Sequence, residues 1–180
     1  MQLEKPRLRV EIQIQNVVCT ADLKQRIDIA SFNKFRYLRS NLDLYRCGYV
    51  KDSSMVGKVT VFASGKLISV GTKSPEMAFA ELKKASTILQ RYNLSKKAKI
   101  ILQVRNIVAR CDLNRHVSLE KIARILPRSM YEPEQFPGLI YRVGGSVVML
   151  IFASGKAIIV GAKTIEELNS TYFELQKRTS

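Results

Sequence analysis

The chain contains no tryptophan and a single histidine, His116. One imidazole, with no HExxH stretch and no Cys/His cluster, leaves no ligand set for zinc. Cysteine is also sparse. Cys19, Cys47 and Cys111 are an odd number without a CxxC pair, and they read as reduced intracellular thiols serving as small core residues. No GxSxG elbow and no phosphate-cradling glycine loop occurs, so an enzyme reading has little support and no cofactor or metal is expected. No apolar run approaches the roughly 18 residues of a membrane-spanning helix, and the N-terminus lacks the apolar stretch of a signal peptide, so no membrane role is expected. Acidic side chains are the last scarcity: 15 Asp and Glu stand against 30 Lys and Arg, a formal charge of +15. A compact domain carrying that charge repels itself, and a polyanionic partner relieves the repulsion. A merely basic soluble domain is the plainer alternative.

What is abundant is repetition. Phe-Ala-Ser-Gly-Lys occurs at 62–66 and again at 152–156, a spacing of 90 in a chain of 180 residues. At the same spacing Val70-Gly71-Thr72-Lys73 answers Val160-Gly161-Ala162-Lys163, Asn16 answers Asn106, Val18 answers Val108, and Asp22-Leu23 answers Asp112-Leu113. One unit is therefore used twice, which gives a saddle or a sandwich, since a solenoid needs three or more copies. The expected division is a tail at 1–8, a first repeat at 9–93, a linker at 94–99 and a second repeat at 100–180.

Periodicity predicts a strand over 9–20, a mixed helix over 24–39, a strand over 43–51, and strands 58–63 and 66–71 in a hairpin turning on Ser64-Gly65. Ser74-Pro75-Glu76 opens a helix that runs to about Tyr92. The second repeat reads as a strand at 100–111, a helix at 118–126, strands at 138–143, 147–153 and 156–161, and a helix at 164–178 with Thr164 and Glu167 as a capping box. Gly144-Gly145 supplies a turn between the first two of those late strands. Val147, Met149 and Ile151 occupy one face of their strand and Val148, Leu150 and Phe152 the other, so both faces are apolar. Two helices per repeat cover one face. The other is either an open apolar binding surface or packs against its counterpart.

Five runs carry a more specific signal: Gln-Asn-Val-Val at 15–18, Val-Arg-Asn-Ile-Val at 104–108, the twelve residues from Phe62 to Lys73, the twelve from Phe152 to Lys163, and Tyr131-Glu132-Pro133-Glu134-Gln135-Phe136-Pro137-Gly138-Leu139-Ile140-Tyr141-Arg142. Through them the chain resembles the TATA-box-binding protein family over nearly its whole length. The resemblance implies an α+β, TBP-like saddle: two tandem pseudo-symmetric repeats form a curved antiparallel ten-stranded sheet, with helices on the convex face. The concave face would lie on double-stranded promoter DNA in the minor groove. Wedging and kinking come with the family and not from these residues.

On this resemblance Phe136 with its neighbour Pro137, and Phe152, match the second repeat's wedge. Phe62 and Tyr45 match the first, Tyr45 adding a hydroxyl that is costly to bury unpaired. Asn16 and Asn106 match amides that reach base edges. Val18, Val108, Ile68, Ile158, Val148 and Leu150 match apolar groove contacts. Ser64, Lys66, Lys73, Arg142, Ser154, Lys156 and Lys163 match backbone-facing positions, with Lys51 where an arginine is usual. Val70 and Val160 stand where the family carries threonine, which removes two hydroxyls from the readout. Lys58 and Thr60 replace the apolar pair seen at Val148 and Leu150, and Arg46 replaces a small residue beside Tyr45. TATA preference should therefore be relaxed, and the chain reads as a divergent or TBP-related factor.

Glu132 and Glu134 match the acidic positions that hold a TFIIB-type factor, and RNA polymerase would follow. The segment from Lys51 to Lys58 matches poorly, which leaves a TFIIA-type partner in doubt. The expected function is a general transcription initiation factor that bends promoter DNA; the alternative is a scaffold acting through protein contacts with little DNA wedging. Self-association of the free chain through its apolar face is a further expectation. The charge favours a eukaryotic or viral setting, hence the nucleus, over an archaeal one.

Overall fold

The computed structural model describes residues 12–179. Contacts divide them into two compact units, Ile14–Ile107 and one built on residues 108–179. The first unit holds β1 (Gln13–Asp22), β2 (Leu38–Ser40), β3 (Cys47–Val50), β4 (Lys58–Phe62), β5 (Lys66–Thr72) and α1 (Pro75–Arg91). A long strand, β6 (Ile101–Asp112), begins in the first unit and ends in the second. It is followed by α2 (Leu119–Ile125), β7 (Ser129–Met130), β8 (Leu139–Gly144), β9 (Val147–Ile151), β10 (Lys156–Ala162) and α3 (Ile165–Thr179). Strand order is β2-β3-β4-β5-β1 in the first repeat and β6-β10-β9-β8-β7 in the second, so the sequence repeat is a repeat of topology. Pairing is antiparallel at β1/β5, β3/β4, β8/β9 and β9/β10.

Each helix buries one stripe. In α1, Ala78, Leu82, Ala85 and Leu89 recur at helical spacing, are buried, and lie on the helix that packs against β4 and β5. In α3 the stripe is Leu168, Tyr172 and Leu175, on a helix that packs against β10. The Tyr172 hydroxyl donates to the Asp112 carbonyl at 2.8 Å, so its one polar atom is satisfied. Facing strand residues are buried at alternate positions: Val59, Val61 and Leu67 in the first repeat, Met149, Ile151, Ala157 and Ile159 in the second. Full burial of each large side chain contributes about 1.5–3 kcal/mol. Helix starts follow side-chain chemistry. Ser74 Oγ accepts the Met77 N–H at 3.2 Å. Thr164 Oγ1 accepts the Glu167 N–H at 3.0 Å, while the Glu167 carboxylate reaches back to the Lys163 N–H at 2.7 Å, one residue before the expected partner.

The expected helix over 24–39 is not formed. A single 3₁₀ turn, Phe32–Lys34, occurs there, and β2 begins at Leu38. Ile27 and Ile29 are buried while Asp28 and Ala30 are exposed, which is alternation and not helical spacing. The backbone donors are committed elsewhere: Ile27 N–H to the Ala63 carbonyl at 3.0 Å and Ala30 N–H to Asp28 Oδ1 at 3.1 Å. Asp28 occupies the position of Ser118, which accepts the Lys121 N–H at 3.3 Å and starts α2. The residues after Ser118 favour a helix better than Ser31, Phe32 and Asn33 do. The strand expected from 43 starts only at Cys47, because Tyr45 N–H closes a turn onto the Asn41 carbonyl at 2.9 Å. β2 and β7 are too short to show a period and were not legible in the sequence. The turn between β8 and β9 uses Gly145-Ser146, not Gly144-Gly145, since Gly144 pairs with Val147. The expected tail and the first residues of the 9–20 strand lie outside the described residues.

The Phe-Ala-Ser-Gly-Lys repeat has a steric cause. Gly65 and Gly155 take φ of +87° and +83°, and a Cβ on them would collide with the carbonyl oxygens of Gln25 and Arg115 respectively. Gln25 and Arg115 are themselves repeat-related. Each hairpin therefore closes over a crossing strand exit that only glycine permits. Gly65→Ala and Gly155→Ala should each destabilise the fold by about 2–3 kcal/mol, read as a lowered urea midpoint at unchanged slope.

Candidate nucleic-acid interface

The strands present a second face, away from the buried stripe. Asn16 and Val18 on β1, Thr60 and Phe62 on β4, and Ile68 and Val70 on β5 are half-exposed, each between buried neighbours or beside one. Val148 and Leu150 on β9, Ile158 and Val160 on β10, and Asn106 and Val108 on β6 behave alike. Register lines them up: Tyr49 pairs with Thr60 and Thr60 with Ile68 in the first repeat, Ile140 with Leu150 and Leu150 with Ile158 in the second. Each repeat thus carries a row of partly exposed, largely apolar side chains. The alternative in which these rows are fully buried is not what is found. Around them Ser64, Lys66, Lys73, Pro137, Arg142, Ser154, Lys156 and Lys163 are exposed, giving a cationic rim. Glu132 and Glu134 are exposed on the turn that precedes β8.

Asn16 is oriented by the backbone. Its Oδ1 accepts the Gly71 N–H at 2.8 Å. A backbone N–H can only donate, so the oxygen is fixed toward Gly71 of β5 and the –NH₂ is the end that bond leaves over. That end presents hydrogen-bond donors. The floor of an A·T minor groove presents only acceptors.

The ring positions differ between repeats. Phe136 and Phe152 meet edge to face, centroids 6.0 Å apart. Phe136 N–H bonds the Glu132 carbonyl at 2.9 Å, as Tyr45 N–H bonds that of Asn41, so Tyr45 and Phe136 are structural counterparts. Yet Tyr45 is 61% exposed, and among the described residues no ring contact joins it to Phe62. The first repeat's face is also more polar. Lys58 Nζ lies 4.8 Å from the Tyr49 ring centroid, a cation–π contact. Lys51 Nζ donates to the carbonyls of Met55, Val56 and Gly57 at 2.6, 2.9 and 2.5 Å, so its ammonium shapes its own turn.

The structure adds residues that the sequence did not single out. A cleft of about 680 Å³ in the first unit is lined by Phe62, Ser64, Lys66 and Ile68 together with Thr20, Gln103 and Arg105. Arg105 Nε donates to Thr20 Oγ1 at 3.0 Å. Odd positions of β6 are exposed at 101–105 but buried at 107–111, so simple alternation changes meaning midway along the strand. Arg105 beside Asn106, in the place of Gln15 beside Asn16, was the available signal. Asp22, also in this cleft, is held below the usual carboxylate range chiefly by the Lys24 backbone N–H, with the Lys24 side chain adding.

Among the described residues no three His, Cys, Asp or Glu side chains gather as a metal site, and no helix is long and apolar enough to cross a membrane. All three cysteines are free and buried. Burial raises the Cys19 thiol to about 11, Glu76 adding, and Cys111 to about 12, Asp112 adding. Both stay protonated at neutral pH and are poor nucleophiles. An ordinary thiol ionises near 9.0, so the folded chain holds protons that the unfolded chain releases between that pH and about 11 to 12. Stability should fall as pH rises through that window. Cys111→Ala should flatten the slope, read as urea midpoints between pH 8 and 10.5 (about the accessible range).

Comparison with known proteins places this geometry. Residues 11–92 and 101–177 match the family profile described as transcription factor TFIID, or TATA-binding protein, TBP. A TATA-box-binding protein of Cenarchaeum symbiosum is 40% identical over 172 residues, covering 94% of each chain. The TATA-box-binding protein-like 1 of Entamoeba histolytica is 32% identical over 179 residues, 98% of this chain and 80% of that one. Among solved structures, Methanococcus jannaschii TBP superposes with a TM-score of 0.83 at 30% identity, over 94% of this chain and 98% of that one. Two matched segments spanning most of the chain, and a structural neighbour matched over nearly all of it, establish that the chain belongs to the TATA-box-binding protein family.

Proposed function

We propose that this chain is a general transcription initiation factor that binds promoter DNA through the minor groove, bends it, and recruits a TFIIB-type factor and RNA polymerase. The observation that carries the reading is the face itself. Each repeat leaves a row of apolar side chains partly exposed, rimmed by lysines, with the Asn16 –NH₂ left over by its bond to Gly71. Apolar side chains suit a groove floor that is opened and dried, the donor suits its acceptors, and the lysines suit phosphates. The Phe136–Phe152 pair is a ready wedge for a base step. Val70 and Val160 offer no hydroxyl to the bases, which favours A·T-rich sites in general over one TATA sequence. Glu132 and Glu134 are open to a basic patch on a TFIIB-type partner. Family relatives serve transcription in archaea and in an amoeba, so the compartment is the nucleoid or the nucleus. The apolar face also gives the free chain a surface for self-association.

A second reading keeps the partners and drops the wedge. The engagement of Lys51 with its own turn and of Lys58 with Tyr49 favours a scaffold role for the first repeat. Two substitutions separate the readings. In a reconstituted promoter assay, Phe136→Ala should abolish bending and weaken binding to A·T-rich duplex by roughly ten- to a hundredfold, about 1–3 kcal/mol. Glu134→Arg should leave DNA affinity intact and lose the TFIIB-type factor. Full promoter activity of Phe136→Ala with none for Glu134→Arg would favour the scaffold.

Asn16→Asp keeps the oxygen that holds Gly71 but turns a second oxygen toward the groove. It should fold normally and bind A·T-rich duplex roughly tenfold or more weakly, in a titration at fixed salt.

A further inference from the structure

The two repeats differ at one position that decides whether their rings can pair. Gly138 lies just before β8, one step beyond the Leu139–Ile151 pair and so level with Phe152. A Cβ there would lie 2.8 Å from Phe136 Cε1 and 3.0 Å from Phe152 Cε1, closer than side chains pack. The Phe136–Phe152 contact therefore needs glycine between the rings. In the first repeat the equivalent residue is Cys47, whose strand partner is Phe62. Cys47 is buried, and its thiol points to the Tyr49 hydroxyl at 3.6 Å. Its side chain stands at the level that glycine leaves open between the rings of the second repeat. Among the described residues no ring contact backs Phe62, and Tyr45 is left 61% exposed.

A ring that opens a base step must be held rigidly from behind, and it must lose its water. Phe136 meets both demands. Tyr45 meets neither: it has no ring behind it, and its hydroxyl would be dehydrated without a partner between stacked bases. From this we infer that Cys47 restricts the chain to one wedge, so that the base step under Phe136 and Phe152 is unstacked and the step under Tyr45 and Phe62 is contacted but stays closed. Cys47 is a positioning residue: it acts through the rings beside it. Its consequence is directional. A pseudo-symmetric chain on a symmetric A·T-rich site acquires one kinked end and one unkinked end. The inference rests on the DNA-bending reading above.

The test is the bend of a short A·T-rich duplex carrying a donor dye at one end and an acceptor at the other, saturated with protein. Wild type should give a one-kink bend. The double variant Cys47→Gly/Tyr45→Phe, which rebuilds the second-repeat arrangement in the first, should give a bend about twice as large, one kink per ring pair. Gly138→Cys, which transfers the block, should lose the bend while keeping salt-sensitive binding. Gly138→Ala repeats that test with the smallest side chain in case the cysteine variant does not fold. A double variant that bends no more than wild type, or glycine-138 variants that bend as wild type does, would overturn the inference and leave the bending reading intact. Wild type that binds without bending, or does not bind, would remove the reading itself and the inference with it.

Discussion

Each repeat has apolar residues on both faces of its strands and helices for only one. This imbalance is the constraint on which the rest depends. The stripe of Ala78, Leu82, Ala85 and Leu89, and that of Leu168, Tyr172 and Leu175, are spent on Val59, Val61 and Leu67 or on their counterparts in the second repeat. Val18, Ile68, Val70, Leu150, Ile158 and Val160 are left partly in water. A folded chain retains such surface at a standing cost of about 25 cal/mol per Å², which a binding partner recovers. The excess of cations suits a polyanionic partner, and the proposed reading gives the Asn16 amide the edge of a base to meet.

The pseudo-symmetry is strict where the backbone demands it and loose where function allows divergence. Gly65 and Gly155 are kept because a side chain would strike a carbonyl in both repeats. The turns before β3 and β8 keep their hydrogen bonds although their sequences differ, Asn41 to Asp43 standing where Glu132 to Glu134 stand. The partly exposed rows have drifted apart: Tyr49, Thr60 and Lys58 in one repeat, Ile140, Leu150 and Val148 in the other. Polar and cationic substitutions there change what the face can desolvate without disturbing the core beneath it.

Much of this was legible in the sequence. The 90-residue echo, the hairpins and the late helices were readable because strict alternation and capping residues are local signals. The helix expected over 24–39 failed because the chain's donors go to a hairpin more than thirty residues away, as Ile27 shows with Ala63. The candidate site was read through family motifs, which proposed Phe136, Phe152 and Asn16 but could not show that the Asn16 oxygen holds the Gly71 N–H. Arg105 was missed because β6 turns the same set of positions from cleft to core midway. The meaning of Cys47 was hidden for a similar reason: only the placement of two rings around Gly138 shows what a side chain at that level would block.

The central claim is that the exposed rows read the minor groove, and base substitution tests it directly. In an A·T-rich site, replacing A·T by I·C pairs keeps the minor-groove edge of A·T, because inosine lacks the guanine 2-amino group, while the major groove becomes that of G·C. Affinity should stay within a few-fold of the A·T-rich parent on I·C substitution and fall steeply on G·C substitution, about 1–3 kcal/mol per pair. If the I·C site binds as poorly as the G·C site, the protein reads the major groove, and the account given of this face is wrong.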